Sequence, residues 1–112
     1  MKVDFSLIKG EEMLGFKGGK GKVNLRIVEG KGGIKVIRAT LYPHSSVGMH
    51  RHDDDSETIF IVSGSAKSVC DSEIEYLSAG DCTICPRGCS HTMINDGDEP
   101  AEFFAVLPKY NI

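Results

Sequence analysis

The sequence predicts an all-β fold, a single sandwich or barrel, on three observations. Thirteen glycines punctuate the chain along its length. Between them lie short runs of Val, Ile, Leu and Phe, a spacing typical of sandwiches and barrels. Residues 23–107 carry no convincing helical apolar period, so nothing there asks for a helix. At 112 residues the chain is close to the commonest size for one domain, here residues 1–112. It can bury roughly two thirds of the surface its unfolded form exposes, which is enough for one core and not for two.

The elements follow in chain order. Residues 1–22 are expected to form an N-terminal arm, because the spacing of Phe5, Leu7, Ile8, Met13, Leu14 and Phe16 fits neither helix nor strand. Within it Gly15–Lys22 (GFKGGKGK) reads as a mobile, solvated loop. It has no phosphate-loop pattern and no following helix whose N-terminus could hold an anion. The barrel is expected over 23–107. Val23–Glu29 and Ile34–Tyr42 read as strands joined by a Gly30–Gly33 turn, whose glycines supply the positive φ of tight hairpins. A loop after Pro43 leads to a short strand through His50–His52, and Glu57–Ser63 follows, ending at Gly64. Ser65–Cys70 and Glu73–Leu77 are expected to pair across Asp71 and Ser72. Asp81–Cys85 stops at Pro86, which lacks the N–H a central strand donates. His91–Ile94 and Glu102–Leu107 flank the turn signal Asn95–Asp98.

Composition narrows the function. With 13 basic and 16 acidic residues the net charge is −3, so no basic field exists to attract nucleic acid or an anionic membrane surface. No apolar run approaches the ~20 residues that span a bilayer. Asp4 interrupts the stretch where an export signal would be apolar, so a cytoplasmic protein is expected. Its four cysteines, at 70, 82, 85 and 89, are then expected as reduced thiols. Cys82 and Cys85 could not share one ion if they lie on a strand, because residues three apart point to opposite faces.

The chemistry concentrates between residues 50 and 95. On a strand His50 and His52 share a face. Glu57 opens the next apolar run and His91 opens another after a proline-glycine turn. Three imidazoles and a carboxylate form a nitrogen–oxygen donor set suited to one divalent transition metal: Mn, Fe, Co, Ni, Cu or Zn. In a six-coordinate ion, four protein ligands would leave two positions for water, substrate or oxygen. By alternation Ile59 and Ile61 point the same way as Glu57, and Met93 the same way as His91. The faces of Arg38, Tyr42 and Phe104 are not fixed by the sequence. Asp53, Asp54 and Asp55 are read as a solvated acidic loop that mildly favours cation entry.

Residues 50–64, HRHDDDSETIFIVSG, resemble the first motif of the cupin superfamily: His-x-His, then Glu, then Gly. Residues 80–95, GDCTICPRGCSHTMIN, resemble the second at Gly80, Pro86, Gly88, His91 and Asn95. The fifteen residues between Gly64 and Gly80 are as few as in compact, single-domain bacterial members. The resemblance implies a double-stranded β-helix, or jelly-roll barrel, with metal inside. It implies His50, His52, Glu57 and His91 as metal ligands, Gly64, Gly80 and Gly88 as turn residues, and Asn95 as a structural residue at a strand end. One position departs from the pattern. Where the family's first motif begins with glycine the chain has His44, which is expected to sit in an exposed loop, with Gly48 supplying backbone freedom.

The expected function is a metal-dependent enzyme acting on a small polar metabolite, such as a sugar or a carboxylic acid. Dioxygenase, isomerase, decarboxylase and lyase chemistry all remain open. The alternative is a non-catalytic metal- or ligand-binding module. Inward orientation of His44, Arg38 or Tyr42 would favour the enzyme, and a cavity without acids or bases beyond the ligands would favour the binder. Exposed sheet edges and the likeness to cupins also suggest a homodimer.

Overall fold

The structure is a computed structural model and describes residues 1–110. Ten strands build it: β1 (Glu11–Leu14), β2 (Lys22–Glu29), β3 (Lys35–Leu41), β4 (Ser45–Arg51), β5 (Glu57–Ser63), β6 (Ser65–Cys70), β7 (Glu73–Ser78), β8 (Cys82–Cys85), β9 (Ser90–Asn95) and β10 (Ala101–Leu107). They form a six-stranded sheet, in the order β1-β2-β3-β10-β5-β8, and a four-stranded sheet, in the order β4-β9-β6-β7. Every pairing between these strands is antiparallel. This is the jelly-roll architecture that the sequence predicts.

Alternation fills the space between the sheets. On β10 Ala101, Phe103, Ala105 and Leu107 are buried while the residues between them are partly exposed. Ile59 and Ile61 on β5, Val23 and Leu25 on β2, and Ala39 and Leu41 on β3 join them from the same sheet. Val47, Ala66, Leu77 and Met93 meet them from the other. Ile59, Ile61 and Met93 therefore point inward as expected.

Turns behave as their residues demand. Asp71 and Ser72 both take positive φ, 46° and 73°, as a two-residue hairpin between right-twisted strands requires. Asn95 closes β9. Its side-chain amide donates to the carbonyls of Leu41 and Glu99, and its oxygen accepts from the Gly97 N–H.

Residues 1–22 differ most from expectation. They hold a strand, β1, which pairs with β2 and so extends the larger sheet, together with two short 3-10 turns at Phe5–Leu7 and Phe16–Gly18. A four-residue strand between two turns is too brief to show a period, which explains the unreadable spacing. The glycine-rich loop is largely exposed, yet it is fastened along β4. The Ser46 N–H donates to the Lys20 carbonyl at 2.9 Å, and the Ser46 hydroxyl accepts from the Lys20 N–H at 2.9 Å. A side chain on Gly48 would collide with the Lys17 carbonyl, so the two backbones touch there. Gly48 thus serves close approach. His44 itself, at the position the family fills with glycine, takes the positive φ of 56°. Its exposed ring contacts Asp98. Among the described residues no helix is long and apolar enough to cross a membrane.

Candidate metal centre

Three chain segments deliver the four expected side chains to one point. His50 lies near the end of β4 and faces His91 of β9 as a register partner. The register shifts between Val47 and His50, a bulge that keeps both residues on the inner face. The bulge also turns the Gly48 carbonyl toward the His50 ring, 2.7 Å from Nδ1. His52 follows β4 and is clasped by the turn before β9. Its N–H donates to the Cys89 carbonyl, and its own carbonyl accepts from the Gly88 N–H. Glu57 is the first residue of β5. One potential ligand atom from each of His50, His52, Glu57 and His91 lies within 4.8 Å of the others. His52, Glu57 and His91 are buried, and His50 is half-buried.

The spacing suits a metal ion. His52 Nε2 lies 3.0 Å from His91 Nε2, and Glu57 Oε1 lies 3.3 Å and 2.8 Å from those two nitrogens. Two donors bound at right angles, each about 2.1 Å from an ion, sit about 3.0 Å apart. The proton positions agree. A carbonyl can only accept, so the contact with Gly48 puts the His50 proton on Nδ1. The Asp55 carboxylate, 2.7 Å from His52 Nδ1, does the same for His52. Both neutral rings then present the Nε2 lone pair to the centre.

Electrostatics point the same way. Without an ion, burial pushes the Glu57 carboxyl up, but hydrogen bonds that His52 and His91 donate when their Nε2 carries a proton outweigh it and hold the pKa at about 2. Hydrogen bonding to Glu57, and secondarily to Asp55, raises the His52 pKa against the effect of burial. Burial lowers that of His50, helped by the neighbouring rings of His91 and His52. An ionised carboxylate among three imidazoles is a donor set for a divalent cation, which when bound would polarise a carboxylate or activate water.

Two spaces adjoin the cluster. An inner cavity of about 40 Å³ is bounded by His50, Glu57 and His91 together with Phe16, Leu25, Ile37, Val47, Ile59, Met93, Phe103 and Ala105. Outside it a mouth of about 350 Å³ carries Lys17, Lys35, Arg51 and Asp53–Asp55. None of the side chains left open by the sequence reaches the inner cavity. Arg38 pairs with Glu102 and lies over the Phe104 ring on the outer face of the larger sheet. The Tyr42 hydroxyl donates to Glu12.

The acidic triplet divides. Asp53 pairs with Arg51 and is exposed, and Asp54 is exposed, as read from the sequence. Asp55 is instead a half-buried partner of His52, a role sequence reasoning missed. Its place three residues after a candidate ligand histidine was the available signal. The cysteines are all free thiols. Cys82 is exposed and Cys85 buried, on opposite faces of β8 as alternation requires. Burial, then the nearby Cys70, pushes the Cys85 thiol up to about 12.

Comparison with known proteins agrees with this geometry. Residues 37–107 match the cupin domain family. An oxalate-binding protein from Thermotoga maritima is 31% identical over 112 residues, covering 96% of this chain and 93% of its own. An auxin-binding protein from Prunus persica is 35% identical over 77 residues, and the match spans only 37% of that protein. Among solved structures, a Thermotoga maritima protein described as a predicted oxalate decarboxylase superposes with a TM-score of 0.90 at 30% identity, covering 98% of this chain and 100% of that one. The cupin domain of Schizosaccharomyces pombe Cnp3 shares the fold, at a TM-score of 0.80 and 8% identity. With both motifs folded onto one two-sheet barrel and most of the chain matched, the protein belongs to the cupin family.

Proposed function

We propose that this protein binds one divalent transition metal through His50, His52, Glu57 and His91, and uses it to hold a small dicarboxylate of the oxalate class without converting it. The observation that carries this reading is the inner cavity wall. Beyond the potential ligands it is entirely apolar, so the inner space itself offers no acid or base to move a proton. His44, Arg38 and Tyr42, the candidates for that task, are engaged elsewhere. An oxalate supplies two oxygen donors, matching the two positions that four protein ligands leave on a six-coordinate ion. The likeness to an oxalate-binding protein over nearly the whole chain supports the same ligand class.

The test is calorimetric titration of metal-loaded protein with oxalate, followed by analysis of the mixture for formate. Saturable binding that disappears with a chelator, and no formate, is the expected result. Equal binding by metal-free protein, or steady formate release, overturns the reading. The second outcome would favour the decarboxylase suggested by the description of the structural relative.

A homodimer is part of the proposal. Phe60 and Val62 of β5 and Ile84 of the edge strand β8 expose an apolar patch on the outer face of the larger sheet. Light scattering on the purified protein decides it. A cytoplasmic location is also proposed, and four unpaired thiols suit a reducing compartment.

A further inference from the structure

The inner cavity and the mouth share three apolar wall residues: Phe16, Leu25 and Ile37. Leu25 and Ile37 lie in β2 and β3, each tied into the sheet on both sides. Phe16 does not. It sits on the 3-10 turn after β1, packed against the core but only partly buried. Its neighbours Gly15, Lys17 and Gly18 all have left-handed backbone, with φ of 60°, 57° and 82°. A lysine accepts that conformation only when the surroundings impose it. Here they do: the segment is pinned where Gly19 meets the Ser46 backbone, where the Lys20 carbonyl accepts from Ser46, and where the Gly15 N–H donates to Gly21. The pinned segment holds the Phe16 ring at the boundary between the two spaces, the one shared apolar wall residue that lies outside a strand ladder.

The inner space is small. At roughly 10–15 Å³ per water it holds about three waters. We propose that Phe16 is the size filter of this site. The ring closes the inner cavity around a two-carbon dicarboxylate and excludes longer homologues, whose far carboxylate would have to pass through it. This rests on the dicarboxylate reading above. Without the ring, a longer dicarboxylate extends into the mouth, where Lys17 and Lys35 line the wall.

The experiment compares wild type, Phe16→Ala and Phe16→Leu, each loaded with manganese(II), by calorimetric titration with oxalate, malonate and succinate. One methylene in an apolar pocket is worth roughly 10–200-fold in discrimination, so the preference of wild type for oxalate over succinate should fall at least about tenfold in Phe16→Ala. Phe16→Leu, which keeps more of the packing, should fall between. A general loss of packing would weaken all three ligands together and leave their ratio alone. An unchanged ratio in either folded variant overturns the proposal. The same proteins are also stripped of manganese by excess EDTA. Should wild type bind none of the three dicarboxylates, the dicarboxylate reading fails and the stripping rate decides the role of the ring. Faster stripping in Phe16→Ala at unchanged manganese affinity supports Phe16 as the closing wall, and equal rates overturn it.

Discussion

Replacing Asp55 should weaken metal binding although Asp55 is not one of the four proposed ligands. Its carboxylate lies 2.7 Å from His52 Nδ1 and its side chain is 27% exposed. The carboxylate fixes the His52 tautomer and makes the opposite nitrogen a better donor. Loss of such a partner costs about 10–100-fold in metal affinity, or about 1.4–2.7 kcal/mol. Partial exposure lets water replace the lost acceptor, so Asp55→Ala should fall toward the lower end of that range. Asp55→Asn keeps an acceptor oxygen without the charge and should lose less. Asp54→Ala is the control, because that exposed residue makes no contact with a ligand ring. Competition titrations against a chromophoric chelator, at fixed pH and salt, measure all four proteins. An Asp55→Ala affinity equal to that of wild type would refute the tautomer argument.

Other perturbations separate the fold from the site. Asn95→Ala removes three hydrogen bonds made by a buried side chain, each worth about 1 kcal/mol, and should lower the melting temperature of the metal-free protein by ~10 °C or more. Its metal affinity should survive, since Asn95 touches no ligand. Gly48→Ala drives a methyl into the Lys17 carbonyl and should cost about 1–3 kcal/mol in urea unfolding, and a stability equal to wild type would show that the loop does not rest on β4. Metal affinity should fall as pH drops below ~6.5, because protons compete for imidazole lone pairs. Glu57 stays ionised down to about pH 2, and His52, with its raised pKa, takes up a proton before His50, whose pKa burial lowers. Equal affinity at pH 7 and pH 5 would count against histidine ligation.

Much of the fold was legible because β alternation and turn chemistry are local. Glu57–Ser63 and Ser65–Cys70 form strands over the expected residues, and the inward set Glu57, Ile59 and Ile61 follows from a period of two. The four-residue cluster was legible because two motifs bring its members together at fixed spacings. The rest depended on long-range contacts. The strand carrying His50 begins at Ser45, earlier than expected, since its pairing partner Asn95 lies fifty residues away. The bulge at Gly48 breaks the alternation that would otherwise have set the faces of β4. Arg38 and Phe104 took their outer faces from register with neighbouring strands. The N-terminal arm showed no period, so neither its strand nor the closing position of Phe16 could be read from the sequence.

Elemental analysis shows whether three imidazoles and one carboxylate share an ion. Wild type, Glu57→Ala and His91→Ala would be purified without added metal and assayed by plasma mass spectrometry, with circular dichroism to establish that each is folded. About one divalent transition-metal ion per wild-type chain, and almost none in either folded variant, is the expected result. Full metal content in both variants would rule out the shared site.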